Sequence, residues 1–177
     1  MQTLATLPST EYLHECFHYD PVTGELRWKY RPRHHFTTTK EWKRWNARFA
    51  GTDAGYERRH CRVNIAGRTY TAHRVIWKWA TGKEPPANID HKNCDGYDNR
   101  LSNLREATQT KQNWNKGLQK NNRSGHKGVS QYRDKFRATI QANRTQRHLG
   151  IFSTAREAAA AYEAAARDLQ GEFYRDA

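Results

Sequence analysis

The segment Ile89-Asp90-His91-Lys92-Asn93-Cys94-Asp95-Gly96-Tyr97-Asp98-Asn99-Arg100-Leu101-Ser102-Asn103-Leu104-Arg105-Glu106-Ala107-Thr108 holds the residues best suited to chemistry. Asp90 offers a carboxylate that can hold a hard cation, and His91 an imidazole that can take a proton from water. Those are the two groups a metal-assisted phosphodiesterase needs. The pair suits the end of a strand, where adjacent side chains leave opposite faces unless a twist or bulge turns both toward one groove. A polar loop follows, with Asp95-Gly96 as a turn, Asp98-Asn99-Arg100 as turn and cap chemistry, and a helix opening at Asn103-Leu104.

Short elements must position that segment. Ser9 to His18 reads as a helix with Leu13, Cys16 and Phe17 on one side. Asp20-Pro21-Val22-Thr23-Gly24 is a turn, and Glu25 to Tyr30 reads as a strand. Residues 31–50, with Arg31, Arg33, Lys40, Arg48, Trp42 and Trp45, read as a basic, irregular DNA-facing arm. Arg62 to Ile65 and Arg68 to Thr71 form a hairpin around Ala66-Gly67. Ala72 to Ala80 reads as a helix with Val75, Ile76 and Trp79 as its apolar stripe, ended by Gly82 and Pro85-Pro86. Within this stretch His73 reads equally well as a packing histidine.

His73-Arg74, Asp90-His91, Asp98-Asn99-Arg100, Asn103-Leu104-Arg105 and Ala107-Thr108 together resemble the HNH nucleases of phage and intron homing type, over about residues 24–115. The resemblance implies a ββα fold around one divalent metal, Mg²⁺ or Mn²⁺, set in the DNA minor groove. It implies His91 as general base, Asp90 as a metal ligand, and Asn103 as the central asparagine that fixes the loop. Arg74, Arg100 and Arg105 would hold DNA. The family's second metal ligand lies nine positions after the central asparagine, where this chain has Gln112 followed by Asn113. Either amide could ligate, or catalysis could be weakened or lost.

Residues 115–125 are polar and without periodicity, and read as a linker. Beyond it, strands are expected near 127–132, 135–142 and 146–152. A helix then starts at Thr154 with Glu157 as a capping box and ends at Gly171. Its Ala155, Ala158, Ala159, Tyr162, Ala165, Ala166 and Leu169 make a flat face suited to a sheet. Lys127-Gly128-Val129, Leu149-Gly150-Ile151-Phe152 and Ala158-Ala159-Ala160-Ala161-Tyr162 resemble the plant ethylene-response-factor (APETALA-type) DNA-binding domain, over about residues 126–173. That resemblance implies a three-stranded antiparallel sheet laid in the major groove, with Lys127, Ser130, Tyr132, Arg133, Arg137, Gln141, Arg147 and His148 on DNA-facing strands. Arg and Gln can read guanine and adenine edges, while Lys127 suits a phosphate.

The fold class expected is therefore α+β, an HNH module followed by a three-stranded antiparallel sheet packed on one helix. Domains are expected at 1–115 and 126–177, joined by 116–125. Composition agrees with a nucleic-acid binder. The 177 residues carry 31 Lys and Arg against 18 Asp and Glu, a formal +13, with six tryptophans. Residues 116–156 alone hold ten basic side chains and one acidic. Lys and Arg interleaved with aromatics are the footprint of a phosphate-backbone binder. No apolar run approaches the roughly 20 residues of a membrane span, and the opening Met1-Gln2-Thr3-Leu4 lacks the signature of a secretory leader. Cys16, Cys61 and Cys94 fit neither a disulfide framework nor a zinc site. The expectation is a cytoplasmic monomer (in the host cell if phage-encoded) that nicks double-stranded DNA without an obligatory protein partner. A noncatalytic DNA-binding protein on a degenerate nuclease scaffold is the alternative, with a nucleoid or RNA-binding role third.

Overall fold

The computed structural model describes residues 6–55, 61–118, 121–142 and 145–174. Met1 to Leu4, Gln119 and Lys120 of the expected linker, and residues 143–144 between two strands lie outside the described residues. The chain divides into two compact units, residues 1–107 and 108–177.

In the first unit, helix α1 (Thr10–Cys16) is capped by Ser9, whose hydroxyl accepts from the Tyr12 amide. It stops short of the expected His18. Phe17–Tyr19 forms strand β1 instead, paired antiparallel with β2 (Leu26–Trp28) across the Asp20–Gly24 turn. Alternation of Phe17 and Tyr19 into the core favours the strand over a continued helix. Residues 31–50 are not irregular: a 3-10 turn at Arg33–His35 leads into helix α2 (Thr39–Phe49), closed by a capping box between Thr38 and Glu41. The hairpin of β3 (Arg62–Ile65) and β4 (Arg68–Thr71) turns at Ala66-Gly67, both with positive φ. Helix α3 (Ala72–Thr81) follows directly and ends at Gly82 in the left-handed conformation.

Strand β5 (Ile89–His91) pairs antiparallel with β6 (Leu104–Glu106). The helix expected at Asn103-Leu104 is therefore a strand, because pairing with β5 outweighs the local pattern. The helix begins later, as α4 (Gln109–Asn115) with Thr108 as N-cap, and belongs to the second unit. Leu13, Phe17, Val63, Ile65, Val75 and Ile76 are almost fully buried at the centre of the first unit, and Ile89 and Leu104 join β5 and β6 to that core.

In the second unit, β7 (Val129–Tyr132), β8 (Lys135–Ala142) and β9 (Thr145–Phe152) form an antiparallel sheet in sequence order. Helix α5 (Ala155–Gln170) starts with the Thr154–Glu157 capping box and stops at Gly171. Its Ala158 and Ala159 pack with Val129 and Ala138. The approach is close: at Gly128, with φ +66, a Cβ would fall 2.1 Å from the Tyr162 ring. Among the described residues no helix is long and apolar enough to cross a membrane.

Candidate active site

Asp90 and His91 end β5, opposite Arg105 and Leu104 respectively, with no bulge in the ladder. Their side chains accordingly leave opposite faces of the ribbon. Asp90 turns inward with Arg105, whose Nε and Nη2 donate to Asp90 Oδ2 at 3.0 and 2.9 Å. Both residues are 9% exposed, so this is a buried, charge-assisted pair.

His91 is half-buried, with its ring edge-on to His73 at 5.3 Å between centroids. Its Nε2 lies 3.1 Å from Asn99 Oδ1. Asn99 Nδ2 donates to the Tyr97 carbonyl, which orients the amide so that its oxygen faces the ring. The Asn99 oxygen is thereby placed to accept a hydrogen from His91 Nε2. His73 Nε2 lies 3.3 Å from Thr71 Oγ1 at the start of α3.

The loop that carries Asn99 is fixed from within and from behind. Asn103, itself buried, accepts from the Asn93 amide at 3.1 Å and donates to Asn93 Oδ1 and the Asp98 carbonyl at 3.0 and 2.8 Å. The Asp98 carboxylate takes the Arg100 guanidinium, with Nε at 2.7 Å, and the Asn93 amide at 2.8 Å. These bonds, Arg100 foremost, hold Asp98 down to a pKa of about 2. From β1, the Tyr19 hydroxyl donates to the Asn99 carbonyl and accepts from the Leu101 amide. Burial raises the pKa of that phenol. Gly24, at φ +79, lies so close that a Cβ would stand 2.6 Å from Arg100 N. Tyr19, Gly24 and the Asn99–His91 bond were missed as site features. The sole sequence signal was the Asp20–Gly24 turn, and nothing in it pointed to a loop 75 residues away.

The expected DNA-holding arginines of this unit have protein partners. Arg74 donates to the Pro86 carbonyl at 2.7 Å, and burial lowers its pKa. Arg100 is on Asp98 and Arg105 on Asp90. Gln112 and Asn113 lie on α4, where Asn113 Oδ1 accepts from Lys116 Nζ at 2.8 Å.

In the second unit, register separates the expected DNA-facing residues. Tyr132, Arg137 and His148 share the face turned away from α5, with Ser130 paired to Arg137 and Thr139 to His148. Gln141 has the same strand parity but also lines a cavity with Tyr162 and Gln170 of α5. Arg137 and Arg133 stand over the Tyr132 ring at 5.5 and 5.7 Å. Arg147 is not on that face: it pairs with buried Ile140, since the irregularity at Ala138/Thr139 resets the alternation along β9. Arg133 sits in the β7–β8 turn with φ +55, and Lys127 Nζ donates to the Trp114 carbonyl at 2.9 Å.

Comparison with known proteins completes the description of this segment. The family model described as HNH endonuclease matches residues 70–113, the stretch from β4 through the Asp90-His91 strand to α4. Protein 3.8 of Escherichia phage T7 is 32% identical over 106 residues, covering 58% of this chain and 87% of that protein. The chain belongs to the HNH endonuclease family. No solved structure matches it. The HNH segment makes a nuclease with DNA as substrate the general function, and HNH nucleases generally use a divalent metal.

The donor chemistry around Asp90 fits such an ion. Arg105 engages Asp90 Oδ2, and carboxylate oxygen is the donor type that a hard cation takes. Glu15, His34 and His35 form a second group of possible ligands in this HNH protein, with both Nε2 atoms on Glu15 Oε2 at 3.1 and 2.6 Å. Here the hydrogen bonds account for the convergence. Arg31 Nε donates to His35 Nδ1, so neutral His35 carries its hydrogen on Nε2 and gives it to Glu15.

Proposed function

We propose that the chain is a metal-dependent DNA endonuclease of homing type that nicks duplex DNA, with target recognition supplied largely by the C-terminal sheet. The observation that carries this reading is the oriented His91 ring. With Nε2–H donated to Asn99 Oδ1, Nδ1 is the basic atom, and the imidazolium formed on proton uptake keeps its acceptor. Water gives a proton to Nδ1 as its oxygen bonds to phosphorus. The bond from phosphorus to the 3′ oxygen then breaks, and that oxygen takes a proton to leave 3′-hydroxyl and 5′-phosphate ends. Asn103 acts one step behind, holding the 93–98 loop on which the ring's partner depends.

Asp90, with Gln112 or Asn113, is the ligand set the family resemblance implies for Mg²⁺ or Mn²⁺. When bound, such an ion supplies charge stabilisation at the attacked phosphoryl group and the departing oxygen. Oxygen donors from a carboxylate and an amide suit these hard ions.

The C-terminal unit reads DNA through the face that bears Tyr132, Arg137 and His148, in the manner of the ethylene-response-factor domain it resembles. Arg137 suits guanine and Gln141 adenine. With one HNH motif the chain works as a monomer and cuts one strand, without an obligatory protein partner, in the cytoplasm of its host cell if phage-encoded.

The Asp90–Arg105 pair favours a second reading. A carboxylate already neutralised by a protein cation is also what a noncatalytic DNA-binding protein on this scaffold would keep. Supercoiled-plasmid conversion by the wild type and by His91→Ala, in Mg²⁺ or Mn²⁺ and in EDTA, separates the two. Nicking that needs metal and is lost in the variant is the expected result. If neither protein nicks a plasmid carrying a site recovered by binding selection, the nuclease reading gives way to the second.

A further inference from the structure

Helix α2 is fixed on one side and open on the other. The Asn46 side chain accepts from the Arg31 amide at 2.8 Å and donates to the Arg31 carbonyl at 3.0 Å, and Trp42 Nε1 donates to the same carbonyl at 2.9 Å. Trp45 packs edge-on to Trp28, under the Arg31 guanidinium at 4.8 Å. At 100° per residue, the side opposite Trp42, Trp45, Asn46 and Phe49 centres on Lys40, Lys43, Arg44 and Ala47, with Arg48 on its flank. All five are exposed. No carboxylate among the described residues forms an ion pair with Lys40, Lys43, Arg44 or Arg48, whereas Arg27, Lys78, Arg100 and Arg105 in the same unit each have one. The one acid on the helix, Glu41, is committed to its capping box.

We propose that this outer face of α2 is a docking surface for the sugar–phosphate backbone of duplex DNA, engaged without regard to base sequence. The proposal rests on the reading of the chain as a DNA enzyme and adds a binding region outside both the HNH segment and the C-terminal sheet. Four like charges on adjacent helical turns repel one another, a small cost that a polyanion would reverse. From Lys40 to Arg48 the helix rises about 12 Å, roughly three to four base-pair steps, so the cations can meet successive phosphates. Ala47 keeps the middle of the face flat. Arg44 and Arg48 also rim a cleft of about 500 Å³ lined by Phe36, Glu41, Trp45 and Phe49.

The test uses the full chain carrying His91→Ala, so that binding is read without cleavage, and a fluorescent 25-base-pair duplex in EDTA. Anisotropy titrations across 50–300 mM KCl give the slope of log K against log salt. Changing Lys40, Lys43, Arg44 and Arg48 to Gln should flatten that slope by about 0.9 for each phosphate no longer neutralised, roughly 3 in all, and weaken binding on the order of a thousandfold at 0.1 M salt. A control in which Arg27, Arg62 and Lys83 become Gln should change the slope by less than about one. Matching circular dichroism melts show that the variants fold. If the parent binds and the α2 variant keeps its slope, the docking surface is wrong while the nuclease reading stands. If the parent binds no duplex even at 50 mM salt, both fall. Stronger binding of duplex RNA, abolished in the same variant, would overturn the assignment to DNA.

Discussion

Arg105 holds the carboxylate on which metal binding by this chain would depend, and removing it should be costly. The pair lies across β5 and β6 with bonds of 3.0 and 2.9 Å to one oxygen, and the two side chains are 9% and 11% exposed. At an effective dielectric of about 20 and a charge separation of about 4 Å, the attraction is about 4 kcal/mol, and much of it offsets the desolvation of both ions. Arg105→Met leaves the desolvation of Asp90 uncompensated, so a loss of about 3–5 kcal/mol is expected. The double variant Asp90→Leu/Arg105→Met removes both charges and should recover most of that loss. Urea unfolding followed by tryptophan fluorescence is the appropriate assay, because five of the six tryptophans, all but Trp114, lie within residues 1–107. A loss below about 1 kcal/mol in the single variant would refute the reasoning. So would a double variant no more stable than the single, since the cost would then come from packing and not from a stranded charge.

Two other perturbations probe the supports of the site. Gly24→Ala forces a side chain into φ +79 and sets its Cβ 2.6 Å from Arg100 N and 2.9 Å from the Asn99 carbonyl carbon, so a loss of about 2–4 kcal/mol is expected in the same urea assay. Plasmid nicking should fall with it at a temperature where the variant is still folded, and full activity there would show that the turn does not position the Asn99 loop. Burial lowers the pKa of His35 from 6.5, against the opposing pull of Glu15 and with Arg31 and His34 adding to the fall. Folding thus favours the neutral ring: the stability it contributes is complete above about pH 6.5 and is lost as pH falls toward the folded value. Thermal melts between pH 7.5 and 5 should show this decline and a flatter profile for His35→Gln; equal slopes would count against it.

Legibility of this fold in the sequence follows the range of the interactions. The Ala66-Gly67 hairpin and the α5 helix are set by neighbours within four residues, a turn that tolerates positive φ and the Thr154–Glu157 box, and both read correctly. Helix α2 carried the same local signal in Thr38 and Glu41. Its apolar face, though, is anchored to the backbone of Arg31 by Asn46 and Trp42, and a polar anchor inside an aromatic, basic stretch hides the 3.6-residue period. Strand β6 was illegible for the opposite reason, since Leu104-Arg105-Glu106 has no strand pattern of its own and is extended through pairing with a segment 15 residues earlier.

The same distinction separates the two halves of the candidate site. Asp90-His91 was visible because chemistry demands those two types in one place. What orients them was not: Asn99 reaches His91 across eight residues, Arg105 reaches Asp90 across 15, and Tyr19 reaches the loop across about 80. Asn99 and Arg105 had local readings, as turn former and DNA-binding group, that were complete without the long-range bond, and Tyr19 carried no reading at all. Arg147 shows that error in the second unit, where a single strand irregularity moves it to the α5 side of the sheet while His148 stays outside. Residue type and spacing therefore nominate the reactive groups, whereas closure of the loop and register of the sheet decide which atom of each is presented. For His91, the proposal that Nδ1 takes the proton from water stands or falls on Asn99. Asn99→Ala should lower the nicking rate roughly 10²- to 10⁴-fold if orientation of the base is what the loop supplies. An unchanged rate would mean that the ring is held by other groups and the loop serves the fold alone.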